Sequence, residues 1–138
     1  MFRSFLAGFI GLLVASLVVM GVESINSVLF PFPPGIDMND RAAIAAFVKT
    51  LPPAAFVAVF FAWALGAFTG TWLAKKLTPG TSKRPAITVA VLFFLFCAFN
   101  MAMIPSPLAF IVASVITTPL ASVAALMLHA RSAARLAA

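Results

Sequence analysis

An all-α membrane protein of four transmembrane helices, with a short interfacial helix in the first outer loop and both termini cytoplasmic, is the fold this sequence predicts. Three observations predict it. Of the 138 residues, 64% are hydrophobic and only 9% are charged, with a mean hydropathy of +1.16, too apolar a balance for a soluble domain with a polar skin. The apolar residues fall in blocks of roughly 20, the length a helix needs to cross the ~30 Å hydrocarbon layer. The basic residues stand in short clusters beside those blocks, where charge sets topology.

The first span is expected over residues 5–22, after the lone Arg3. A cleaved secretory signal is the other reading of a basic start and an apolar run. The run is longer than the roughly 7 to 15 residues of a signal core, and Met20-Gly21-Val22-Glu23-Ser24 is no small-x-small cleavage site. Residues 23–53 then form the one sizeable outer loop, which holds all three acidic residues, Glu23, Asp37 and Asp40. Within it Pro31-Phe32-Pro33-Pro34-Gly35 predicts extended backbone ending in a turn, because proline fixes φ and biases its predecessor away from helix. An amphipathic helix follows over residues 38–50, with Asp37 as its N-cap, Asp40 in its first turn and Lys49 in its last, charges that suit the helix dipole. Ile44, Phe47, Val48 and Leu51 recur at helical spacing, so this helix should lie on the membrane surface or cap the bundle.

The second span, residues 54–74, carries the most regular pattern in the chain: Ala54, Ala58, Ala62, Gly66, Gly70 and Ala74 place a small residue at every fourth position. In lipid there is little hydrophobic gain from pairing helices, so close approach across small residues supplies the packing. The ridge is expected to contact protein, within the chain or between copies. Lys75, Lys76, Lys83 and Arg84 flank the turn Thr78-Pro79-Gly80 and lead to a third span over residues 86–104, rich in phenylalanine. Ile104-Pro105-Ser106-Pro107 is a tight connection to the fourth span, residues 108–128. That span has its own small row at Ala109, Ala113, Thr117, Ala121 and Ala125. Pro119 should kink it near mid-membrane, with Thr117 and Thr118 offering hydroxyls to the freed backbone.

Arg3, the four basic residues of the middle loop, Arg131 and Arg135 make seven on one side, against Arg41 and Lys49 on the other. The excess predicts that side to be the cytoplasm and the site of residence to be a bacterial inner (plasma) membrane. A formal charge of +6 and a pI near 11 are thereby explained without a nucleic-acid partner.

One acid stands within or beside a span. Glu23, followed by Ser24 and Asn26, lies near the outer end of the first helix, and an ionisable group at membrane depth is by default a functional candidate. A solvated glutamate at headgroup level is the structural alternative. Asn100 sits at similar depth on the third span and could hydrogen-bond Glu23. Both spans end in a polar group followed by a proline-rich turn, a weak two-hairpin pseudo-repeat. His129 reads as a surface histidine, Trp72 as an interfacial anchor and Trp63 as a packing residue. One His, one Cys (Cys97), three acids, no tyrosine and no phosphate loop give no enzyme constellation, disulfide or metal site, and no cofactor is expected.

Glu23-Ser24-Ile25, the Phe30–Gly35 run and Asn100 with Ile104-Pro105-Ser106-Pro107 resemble a group of small four-helix bacterial inner-membrane proteins over most of the chain. The resemblance implies the topology and no activity. Relatives of that kind carry histidine near Ser27 and at Ser106; serine at both positions here puts a shared metal site in doubt. Small multidrug transporters are similar in size and have a glutamate in the first span, but theirs lies within the membrane and their loops are short. The leading expectation is a non-enzymatic membrane protein that self-associates or serves as an accessory subunit of a membrane complex, with lipid and other membrane chains as partners. The rival is a small transporter or channel with an outward-facing site at Glu23 and Asn100 and a pathway through Thr117-Thr118-Pro119.

Overall fold

The structure, a computed structural model, describes residues 2–37 and 39–136. Met38, the expected start of the amphipathic helix, and the side chain of Arg135 lie outside the described residues. Five helices run in the order α1 (Phe2–Leu29), α2 (Arg41–Thr50), α3 (Pro53–Leu77), α4 (Arg84–Met103) and α5 (Leu108–Leu136). All but α2 are long and apolar enough to cross a membrane, and the described residues contain no strand. The chain is therefore an all-helical membrane protein of four candidate spans.

Every helix departs somewhere from the expected bounds, α5 most at its end, which runs to Leu136 beyond the expected residue 128, and the changes at α1, α2 and the start of α3 have local reasons. α1 continues past residue 22 to Leu29, so Glu23, Ser24, Asn26 and Ser27 are helical and not in a loop. The serines there turn inward on the helix: Ser24 Oγ donates to the Met20 carbonyl at 2.7 Å and Ser27 Oγ to the Ser24 carbonyl at 2.9 Å. α2 begins at Arg41 and its N-cap is Asp40, not Asp37; Asp40 Oδ1 accepts from the amides of Ala42 and Ala43 at 2.8 and 3.2 Å. Asp37 instead closes the turn before it, accepting from the Asn39 amide at 2.9 Å. Gly35, with φ at +80°, supplies the left-handed residue that ends the proline run. α3 starts with Pro53 in its first turn, where a missing N–H costs nothing.

α3 is the centre of the bundle. It packs against α1, α4 and α5, and α4 lies beside both α1 and α5, whose backbones make no close approach to each other among the described residues. The α1/α3 contact is the close one. On α3 the ridge residues Ala62, Gly66, Gly70 and Ala74 are buried, and α1 answers with its own four-residue row, Ala7, Gly11, Ala15 and Val19. A Cβ built on Gly70 would lie 2.7 Å from Ala15 Cβ and 2.7 Å from the Gly11 carbonyl oxygen; one on Gly11 would lie 2.6 Å from the Gly70 oxygen. The small-residue ridge is thus used inside the chain, with Ala58 half-buried and Ala54 exposed at its outer end.

The buried face of α5 is shifted by one residue from the expected row up to Ser122 and rejoins it at Ala125. Phe110, Ser114, Thr118, Ser122 and Ala125 are buried, while Ala109 is exposed and Ala113, Thr117 and Ala121 are only half-buried. The helix runs through Pro119 without interruption, so there is no break into half-helices. No hydroxyl bond from Thr117 or Thr118 is present among the described residues; Ser122 Oγ donates to the Thr118 carbonyl at 3.3 Å. Phenylalanine on α4 divides by face: Phe93 is 1% exposed in the core, whereas Phe96 and Phe99 face outward. The core joins Ala15, Val19, Ala62, Trp63, Ala67, Phe93, Cys97 and Phe110.

Candidate functional site

The antiparallel pairing of α1 with α3 brings the last turns of α1 beside the first half of α3. The ends of α4 and the start of α5 close the same region, and α2 lies over it. Between them is a cavity of about 470 Å³, within the usual size of a small-ligand pocket. Glu23, Ser24 and Asn26 of α1 and Asn100 of α4 all line it, so the four polar candidates of the sequence converge on one space.

Their hydrogen bonds are local. Asn100 Nδ2 donates back to the Phe96 carbonyl at 3.1 Å, and the expected Glu23–Asn100 bond is not formed. Asn26 Nδ2 reaches across to the Ala55 carbonyl at 3.4 Å, tying α1 to the start of α3, and its Oδ1 is buried without a partner. Trp63, 4% exposed, packs its ring on Phe110 with centroids 5.3 Å apart. Its indole Nε1 turns toward the Glu23 carboxylate but closes no hydrogen bond. Trp63 is therefore both a packing residue, as its position in mid-span predicted, and a cavity residue, which it did not.

The rest of the lining is aromatic and aliphatic. Phe30, Phe32, Phe47, Phe56, Trp63 and Phe110 line it with the polar groups, and no basic side chain does so among the described residues. α2 contributes its apolar face, Phe47, Val48 and Leu51; Val48 is 8% exposed, and Phe47 meets Phe32 of the proline run with ring centroids 4.6 Å apart. Arg41 holds the start of α2 to α4 by donating to Met103 Sδ at 3.2 Å. An exposed carboxylate in a cavity whose other lining is largely aromatic and aliphatic, with no basic side chain among the described lining residues, is suited to a cation through Coulombic attraction.

Ser27 and Ser106 also line the cavity, so the two positions where the resemblance placed histidine do come together. With serine at both, the ligand set is one carboxylate, and among the described residues no three His, Cys, Asp or Glu side chains cluster to hold a metal. Cys97 is buried in the core and unpaired. His129 is half-buried near the far end of α5. Trp72 is also at that end, with Lys76 Nζ 4.7 Å above its ring, and Lys75 is 7% exposed and donates to the Gly80 carbonyl at 3.1 Å. The Gly66 and Gly70 ridge and the Thr117-Thr118-Pro119 segment take no part in the cavity.

Fold and site together define a multi-pass membrane protein with a polar, aromatic-walled cavity at the end of the bundle opposite its basic cluster. The chain matches no protein-family model, and no curated protein or solved structure is similar to it.

Proposed function

We propose that this is a non-enzymatic, transporter-like protein of a bacterial inner membrane that receives a small cationic ligand at the Glu23 cavity. The observation that carries the reading is the composition of the lining: one carboxylate, six aromatic rings, no basic side chain, and two buried polar atoms, Asn26 Oδ1 and Trp63 Nε1, without partners. Buried polar groups left unpaired cost stability, and a bound ligand satisfies them. The basic end, with Arg3, Lys75, Lys76, Lys83, Arg84 and Arg131, faces the cytoplasm by the positive-inside rule, which turns the cavity outward.

Self-association or an accessory role would have to use another face, because α1 fills the ridge of α3. A pathway through half-helices at Pro119 is likewise not what supports transport, since α5 is continuous there.

The test uses Trp63 as the reporter, in a Trp72→Phe background so that one indole remains. Titration of the solubilised protein with benzylammonium should change Trp63 emission saturably, and Glu23→Gln should weaken the apparent affinity about tenfold, the scale of one charged hydrogen bond lost. An affinity unchanged by Glu23→Gln removes the carboxylate from binding and with it this reading.

A further inference from the structure

We propose that the ligand of this cavity is an amine-headed membrane lipid that reaches it sideways from the bilayer, its ammonium on Glu23 and its chain between α3 and α5. The proposal rests on the cation reading above and deepens it.

The first argument is the roof. Phe30 and Phe32 of the chain leaving α1 and Phe47, Val48 and Leu51 at α2 line the cavity on the side where the loop lies, and the Phe32–Phe47 contact closes that layer on itself. The cover is apolar but partial, since Glu23, Ser24 and Ser27 of α1 remain exposed, and its apolar side chains favour an amphiphile over a fully hydrated ion.

The second is a neighbouring groove of about 510 Å³ between α3 and α5, lined by Pro53, Val57, Phe60, Ala109 and Ala113. It shares Leu51, Phe56 and Phe110 with the Glu23 cavity, so the two spaces are separated only by side chains, the Phe56 and Phe110 rings standing 5.8 Å apart between centroids. The groove opens on the surface that lipid covers: Val57 is 51% exposed and Ala109 is exposed. Its lining carries no polar side chain. A polar chamber adjoining an apolar trough across the Phe56–Phe110 ring pair matches a molecule with a charged head and a hydrocarbon tail once those rings part.

The third is the head chemistry. Glu23 and the unpaired Asn26 Oδ1 accept hydrogen bonds, and the Trp63 N–H is turned toward Glu23. Acceptors with no basic side chain among the described lining residues suit the ammonium of an amine head. Glu23 lies six residues before the end of α1 at Leu29, about 9 Å along a helix rising ~1.5 Å per residue, a depth within reach of the headgroup boundary.

The experiment extracts the protein gently from vesicles of equal phosphatidylethanolamine and phosphatidylglycerol and counts retained lipid by native mass spectrometry. The amine-headed lipid should be held over the anionic one by about tenfold, the ratio one charged hydrogen bond supplies, and Glu23→Gln should erase the preference. Ala113→Phe, which fills the groove from α5, should abolish retention while leaving the benzylammonium response of Trp63 intact; Val57→Phe fills it from α3 and serves if the first variant does not fold. Equal retention of both lipids, retention unchanged by either groove variant, or soluble ethanolamine binding as tightly as the lipid overturns the lipid proposal and leaves cation binding standing. A benzylammonium response indifferent to Glu23→Gln overturns the reading beneath it.

Discussion

Replacing Gly70 with alanine inserts one methyl group where α1 and α3 leave no room for it. The new carbon would sit 2.7 Å from Ala15 Cβ and 2.7 Å from the Gly11 carbonyl oxygen, against the ~3.5–4.0 Å of a relaxed carbon contact. Neither neighbour can rotate away, since one is backbone and the other a single methyl, so α1 must retreat by about 1 Å along the length of the seam. Overpacking of this kind costs about 1–3 kcal/mol, and the rigidity of both contacts places Gly70→Ala in the upper half, about 2–3 kcal/mol. Gly66→Ala meets the far end of Phe93 at 2.9 Å, with the Ala15 carbonyl oxygen and Val19 Cγ2 further off at 3.1 and 3.2 Å, so a smaller cost of about 1–2 kcal/mol is expected. Gly21, also helical, has nothing within 4 Å of a new Cβ, and alanine there should stabilise by about 0.5–1 kcal/mol through helix propensity. Unfolding in mixed micelles of increasing SDS content, followed by circular dichroism, gives the three values. If Gly70→Ala and Gly21→Ala agree within about 0.5 kcal/mol, less than overpacking alone should cost, the seam is not as close as described. The particle size should be the same for all three variants, because the ridge is internal.

Two further substitutions test the polar groups. Asp40→Ala should remove the cap of α2, at about 1 kcal/mol, and speed hydrogen exchange across Arg41–Thr50, whereas Asp37→Ala should leave that helix unchanged; equal effects would return the cap to Asp37. Thr71 and Ser114 are 0% and 1% exposed with unpaired hydroxyls, so Thr71→Val and Ser114→Ala should each be neutral or stabilising by up to about 1 kcal/mol in the SDS assay. A loss of more than about 1 kcal/mol, the scale of a made hydrogen bond, would mean that the hydroxyl has a partner in the membrane.

The four spans were legible because hydropathy is a property of composition, and each apolar block is long enough to decide the matter alone. The end of α1 was not: Glu23, Ser24, Asn26 and Ser27 look like a loop in sequence, but Ser24 and Ser27 satisfy themselves on the preceding turn and the helix goes on. The ridge of α3 was visible as spacing, while its partner, the row Ala7, Gly11, Ala15 and Val19 on α1, was missed although it repeats at the same interval. On α5 two adjacent rows share that interval, one of alanines and one of hydroxyls, and size alone does not choose between them. Packing against α3 does, and it buries Ser114, Thr118 and Ser122. Glu23, Ser24, Asn26 and Asn100, which line one cavity, stood out as candidates because polar groups near span ends are few. Trp63 and the roof from α2 were not assigned to the site, since a contact between an indole in mid-span and a glutamate on another helix exists only once α1 and α3 are paired.

That α1 meets α3 along its tightest seam, while its backbone makes no close approach to α5 among the described residues, has a consequence for biosynthesis. The seam needs nothing beyond Leu77, so the first hairpin can zip up while the rest of the chain is still being made, at the roughly 5–20 residues per second of translation. When α5 leaves the translocation machinery its docking face on α3 is already standing, and the hydroxyls of Ser114, Thr118 and Ser122 pass from water to protein with only a brief stay in lipid. A chain stopped after residue 77 should accordingly persist in the membrane as a paired hairpin, and one stopped before α3 should leave α1 a solitary helix with an uncovered row of small residues, the kind of segment membrane quality control removes.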